Sequence, residues 1–172
     1  MKAKNYRAVK GQAFTRKEFS KGFPPPKITK FTMGDTKTEF EYNAKLIALE
    51  KAQIRHVSLE AARVASNRIV MDKLVDKYRL DVLPYPHTIL RENKMIFGAH
   101  ADRLQQGMRG SFGRPIGTAA RIKADQTIIT IHVNKEGVEA AKEALKRGSA
   151  KLPIPCRITI EKIQSEEAKA VD

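Results

Sequence analysis

The sequence predicts an α+β fold, a sandwich of two main helices packed on an antiparallel or mixed β-sheet, with a basic extended N-terminal arm and a long Gly/Arg-rich loop. Three observations carry this prediction. Two stretches repeat apolar residues at the three-to-four spacing of a helix, and about seven short stretches in mixed order have strand character. The third is charge: nearly all of the basic excess falls in two segments that contain little regular periodicity.

Residues 1–34 form the arm. Lys2, Lys4, Arg7, Lys10, Arg16, Lys17, Lys21, Lys27 and Lys30 are interleaved there with Tyr6, Phe14, Phe19 and Phe23, ahead of Pro24, Pro25 and Pro26. Consecutive prolines fix φ and withhold amide donors, which favours an extended course that becomes ordered on binding. The aromatics suit either base stacking or anchorage of the arm to the body.

Residues 35–164 form the globular domain. Phe40, Tyr42, Ala44, Leu46 and Ala48 alternate with their neighbours at the period of a strand. Ser58 then precedes Leu59, Ala62, Ala65 and Ile69, a helix over 59–78 with Ser58 as N-cap and Glu60 in its first turn. Arg63, Asn67 and Lys73 lie opposite that stripe on a solvated face. Three short strands are expected at 81–85, 87–91 and 95–97, with Pro84 and Pro86 keeping the first at an edge or bulge. Stretches 119–123 and 127–133 read as a hairpin around Ala124-Asp125-Gln126. Asn134 is placed to cap a second helix in which Val138, Ala141 and Leu145 share a face, Glu143 pairs with Arg147, and Gly148 marks the stop. Cys156, Ile158 and Ile160 alternate in a last strand, and 165–172 is a polar tail.

A chain of 172 residues with 33 Lys+Arg against 19 Asp+Glu carries a formal charge of +14. The excess is +8 in residues 1–34, +1 in 35–90, +5 in 91–123 and zero in 124–172. A basic surface kept for solubility would spread its charge over mixed-sign faces; this segregation points to a polyanion, nucleic acid ahead of an anionic membrane face. No apolar run approaches the roughly 20 residues of a membrane span, and 1–12 lacks the apolar segment of a signal peptide, so a cytosolic protein is expected. The single Cys156 excludes an internal disulfide and a thiolate zinc module.

The loop 98–118 contains half of the ten glycines, together with Arg103, Gln105, Gln106, Gly107, Met108, Arg109, Gly110, Ser111, Phe112, Gly113 and Arg114. Glycine lets backbone amides approach another backbone closely, and the arginines supply planar forks matched to phosphate oxygens. A loop of about twenty aperiodic residues is either functional or disordered. Its Gly107-Met-Arg-Gly110 spacing matches the Gly-x-x-Gly clamp of KH domains only weakly, since the flanking segments read as strands. No nucleotide-hydrolysing phosphate loop and no nucleophile elbow is present. His56, His87, His100 and His132 lack metal-ligand spacing, and Asp102 beside Arg103 suits an internal ion pair better than acid–base catalysis.

The run Gly98-Ala-His-Ala-Asp-Arg-Leu-Gln-Gln-Gly-Met-Arg-Gly-Ser-Phe-Gly-Arg-Pro-Ile-Gly-Thr118 resembles the signature of the universal L-sixteen family of large-subunit ribosomal proteins, in its archaeal and eukaryotic L-ten-e branch. Residues 58–63, 86–94 and 138–147 resemble the family in the same order, so the likeness covers about 40–162. Lys2-Ala-Lys-Asn5 before Tyr6-Arg7 departs from the family's pattern, and the length favours the archaeal form. The resemblance implies a protein seated on large-subunit rRNA beside neighbouring ribosomal proteins, one copy per ribosome. It implies that residues 101–118 point toward the peptidyl-transferase centre and tRNA near the A and P sites. The RNA would perform the chemistry, so neither catalysis nor a cofactor is expected. Beyond the arm, Arg63, Arg91, Lys94, Arg121 and Lys123 are the expected rRNA contacts. The competing readings are a dissociable RNA-binding translation or ribosome-assembly factor and, more remotely, an RNA-modifying enzyme.

Overall fold

In the computed structural model, which describes residues 3–20, 22–75, 77–93, 98 and 113–163, the elements follow in chain order. They are β1 (Thr32–Gly34), β2 (Tyr42–Ala48), β3 (Ala52–Arg55), α1 (His56–Leu74), β4 (Arg79–Val82), β5 (Thr88–Glu92), β6 (Arg114–Ile122), β7 (Thr127–Val133), α2 (Val138–Ser149) and β8 (Cys156–Lys162). The fold is α+β with two helices and antiparallel sheets among the described residues. One sheet runs β1-β4-β7-β2-β8 and a smaller one runs β3-β6-β5.

Alternation in β2 buries Ala44, Leu46 and Ala48 on the face that meets α2. Leu80 and Val82 of β4, Ile129 and Ile131 of β7 and Leu145 of α2 join them. Ile54 of β3 and Ile122 of β6 enter the same cluster, so the two sheets share one core. Burying each such side chain contributes roughly 1.5–3 kcal/mol relative to leaving it exposed.

Several expectations are corrected. Helix α1 starts at His56 directly after β3, with Arg55 at the N-cap position, no side-chain cap, and Ser58 inside the helix. It stops at Leu74, and its buried line is Leu59, Ala62, Ser66 and Val70, flanked by Ala65 and Ile69. Its polar residues are engaged within the protein: Arg63 with Glu60 at 2.5 Å, Asn67 with the Tyr78 hydroxyl at 2.7 Å, and Lys73 with Glu143 at 2.5 Å. Strand β4 is interior between β1 and β7, and Pro84 and Pro86 fall after its end. The expected strand at 95–97 lies outside the described residues.

Strands β6 and β7 do not form a hairpin, because they belong to different sheets. Asp125 adopts φ +59° in the link between them. Its amide donates to the Ala48 carbonyl at 2.8 Å, and the Ala48 amide donates to the Gln126 carbonyl at 3.0 Å. The link is thereby tied to the end of β2 while the chain changes sheet.

Asn134 gives no side-chain cap; a 3-10 turn over Lys135–Gly137 intervenes before α2. Glu143 pairs with Arg147 at i,i+4 as expected, at 3.9 Å, and more closely with Lys73, at 2.5 Å. Gly148 is inside α2 rather than at its stop. A Cβ there would lie 2.3 Å from Ser66 Oγ, which donates to the Ala144 carbonyl at 3.1 Å, so the helices cross on a small-residue contact.

Candidate RNA interface

The small sheet sends Ala52, Ile54, Ala120 and Ile122 into the core, which leaves Gln53, Arg55, Thr88, Leu90, Ala119 and Arg121 on its outer face by strand alternation and register. The N-terminal segment lies across that face. Tyr6 packs on Leu90 and Ala119, and the Arg55 guanidinium sits 5.7 Å from the centre of its ring. Gln53 Nε2 donates to the carbonyls of Tyr6 at 3.0 Å and Ala8 at 3.3 Å, and Arg121 Nη1 donates to the Gly11 carbonyl at 2.9 Å. The Gln53 amide of β3 donates to Arg7 O at 2.8 Å, and the Ile89 amide of β5 donates to Phe14 O at 2.8 Å. Both edges of the sheet are therefore covered by the same segment.

Farther along, Ile28 enters the main core, the Lys27 amide donates to His56 Nδ1 at 2.7 Å, and the Val82 amide donates to Phe31 O at 2.8 Å. The expected free arm is thus laced to the body at residues 6–14 and 27–31. The physical reason is that its carbonyls satisfy edge amides that the small sheet would otherwise leave unpaired. Of the aromatics, Tyr6 anchors, Phe14 lies under Arg91 at 4.8 Å, Phe23 pairs with Lys17 at 5.6 Å, and Phe19 stays 70% exposed beside Arg16.

Lys4, Lys10, Arg16, Lys17, Lys27, Lys30, Arg114 and Lys123 are exposed. Arg7 pairs with Glu50 at 2.7 Å, and Arg63 stands apart on α1 with Glu60 and Met33. The Arg63 guanidinium holds the Glu60 carboxyl below the usual carboxylate range, and Glu60 pushes Arg63 up in return. Lys2, Lys21, Lys94, Arg103, Gln105, Gln106, Gly107, Met108, Arg109, Gly110, Ser111 and Phe112 lie outside the described residues.

Both ends of the 93–113 segment stand on the small sheet. Gly113 has φ +64°, and a Cβ there would lie 2.8 Å from the backbone of Glu92 and Asn93, so only glycine lets the chain re-enter at this point. Arg114 follows as the first residue of β6, in register with Glu92, and residues 114–118, expected as loop, are strand. Residues 6–14 of the +8 block and residues 91 and 114–123 of the +5 block, distant in sequence, meet on one three-stranded sheet. Sequence reasoning missed Gln53 and Arg55, which hold the segment down; an amide and a guanidinium flanking Ile54 were the available signal.

His56 and His132 are structural in placement. Burial, reinforced by Arg55 and Lys27, pushes His56 below its ordinary value, so a neutral ring accepts at Nδ1. Burial likewise lowers His132, against the opposing pull of Asp81 at 3.3 Å. His87 Nδ1 lies 3.1 Å from the Tyr85 carbonyl, and His100 is outside the described residues. Among the described residues no group of three or more His, Cys, Asp or Glu is placed to hold a metal ion, and no helix is long and apolar enough to cross a membrane.

The family model described as ribosomal protein L16p/L10e matches residues 9–159. The chain is 51% identical over 166 residues to the large ribosomal subunit protein uL16 of Sulfolobus acidocaldarius, covering 95% of this chain and 94% of that one. It is 48% identical over 165 residues to the protein of that name from Hyperthermus butylicus, with 95% and 91% covered. For the Saccharolobus solfataricus protein the figure is 52% over 158 residues, with 90% and 89% covered. With most of its length matched in this way, the chain belongs to the ribosomal protein L16p/L10e family in its archaeal form, and is a structural ribosomal component and not an enzyme.

Proposed function

We propose that the chain is a constituent of the large ribosomal subunit that grips ribosomal RNA through the small sheet and its N-terminal cover, and that it helps position tRNA near the peptidyl-transferase centre. The observation that carries this reading is the convergence of residues 6–14 of the first basic block and residues 91 and 114–123 of the second on the small sheet, while β2, β4, β7, β8 and α2 belong to near-neutral sequence. Lys4, Lys10, Arg16, Lys17, Lys27, Lys30 and Lys123 replace counterions around phosphates, and Arg91 and Arg121 act at the rim of the sheet. Shape and fitted edges of folded RNA supply specificity, since phosphate contacts position without reading bases.

In this reading residues 1–34 are the RNA-gripping arm and 35–164 a sandwich. The glycine- and arginine-rich segment that leaves β5 and returns at β6 reaches tRNA near the A and P sites. Subunit assembly is served by the same contacts, with neighbouring ribosomal proteins completing the seat. Mass spectrometry of salt-washed large subunits tests the reading: about one copy of this chain per particle is expected. Substoichiometric recovery that changes through the elongation cycle would instead identify a dissociable factor.

A further inference from the structure

We infer that a cavity between the N-terminal segment and the outer face of the small sheet receives one unstacked base of the ribosomal RNA. The inference rests on the RNA-binding reading and names the part of the RNA that enters. The cavity holds about 240 Å³. That is below the roughly 300–1,000 Å³ of sites for drug-sized ligands, and many times the about 30 Å³ share of a water molecule. One planar ring system fits; a dinucleotide does not.

The walls have the chemistry of base recognition. Tyr6 and Phe14 offer aromatic surface, Asn5 and Gln12 offer amides that present donor and acceptor together, and Arg121 offers a guanidinium plane. No carboxylate is among the lining residues, so nothing there repels the phosphates that accompany a base.

A second observation is independent of shape. Thr88 Oγ1 and Arg121 Nε, both from lining residues, are buried without a hydrogen-bond partner among the described residues, and Thr88 is only 3% exposed. Buried polar atoms in folded proteins are almost always paired. Thr88 stands opposite Ala119, and Arg121 is two residues along the same strand and face, so the unpaired acceptor–donor hydroxyl and the unpaired N–H lie on one surface. Neither atom is open to solvent, so a base edge reaches them only as the covering residues 5–14 move aside, and it then supplies the partners both are missing.

The test is an NMR titration of the isotope-labelled full chain with the four nucleoside 5′-monophosphates and, separately, ribose 5-phosphate. At least one nucleotide should give saturable shifts confined to Asn5, Tyr6, Gln12, Phe14, Thr88 and the Arg121 Nε–H, with ribose 5-phosphate giving none at equal concentration. Thr88→Val should weaken the site several-fold; Gln12→Ala, at an exposed position that the fold does not depend on, should do the same. Silence with all four nucleotides, equal shifts with ribose 5-phosphate, or unchanged affinity in both variants overturns the pocket. Binding of the same chain to purified ribosomal RNA at low ionic strength separates the two readings. RNA binding retained beside a silent cavity overturns the pocket alone, whereas loss of RNA binding overturns both.

Discussion

Gly117 of β6 faces His56 so closely that a Cβ at 117 would lie 2.7 Å from the imidazole Nε2. The other ring nitrogen accepts the Lys27 amide at 2.7 Å. One buried ring therefore joins the N-terminal segment, the start of α1 and the small sheet.

Gly117→Ala should destabilise the chain by about 1–3 kcal/mol, the range for overpacking a well-fitted site. Urea unfolding measures it, and the same substitution in a His56→Ala background should cost clearly less. Equal costs in the two backgrounds would show that the ring is not what the added methyl meets.

The pH dependence follows from the direction of the shift. Burial, then Arg55 and Lys27, lower His56 in the folded chain, so below its ordinary value near 6.5 the unfolded chain binds the proton more readily. The stabilisation is complete above pH 6.5 and is lost as pH falls through the folded value. Melting temperature should thus decline on the acid side of neutrality, and His56→Asn, which keeps an acceptor without titrating, should flatten the decline. His132 shifts in the same direction, so part of the slope should survive the substitution.

Gln53→Leu removes the donor shared by the Tyr6 and Ala8 carbonyls. The loss should cost about 1–3 kcal/mol, as for other buried groups left unpaired, and should fall mainly on residues 6–14. Hydrogen exchange should accelerate at the Gln53 and Ile89 amides, which donate into that segment, with little change at β2 or β7. Uniform acceleration over the whole chain would argue against a separately held N-terminal layer.

Affinity for ribosomal RNA should fall steeply with salt. If eight phosphates are neutralised, log affinity against log salt should have a slope on the order of −6 to −7. Alanine at Lys10, Arg16 and Lys17 should each lower the magnitude by about 1. Lys142→Ala and Lys146→Ala on α2, outside the basic blocks, should leave the slope unchanged; an equal effect there would mean that charge alone, and not its placement, sets binding.

The long periodic elements were legible in the sequence. Leu46 and Ala48 in β2, Leu59 and Ala62 in α1, and Ala141 and Leu145 in α2 occupy the core as their spacing implied. Strand β3 was not legible because it spans only four residues, Ala52–Arg55, and runs straight into α1 at His56, so its brief alternation did not stand out from its surroundings. The apparent hairpin failed because a turn at Asp125 reads the same whether the next strand pairs with the last or joins another sheet. Gly148 looked like a stop signal, since sequence alone does not reveal that Ser66 presses against it. At the interface, the charge segregation was plain from composition. The docking of residues 6–14 was hidden, because the partners of those carbonyls are more than forty residues away.

The hydrogen bond from Arg121 to Gly11 spans 110 positions of the chain. At roughly 5–20 residues per second of synthesis, the first basic stretch emerges about 5–20 s before the strand that fastens it. During that interval a cationic, aromatic-bearing nascent segment meets the most polyanionic surroundings in the cell without its cover. Newborn copies accordingly need a shield, an acidic escort or prompt completion of the polypeptide, and slowing translation between codons 15 and 121 should raise their non-native capture by RNA.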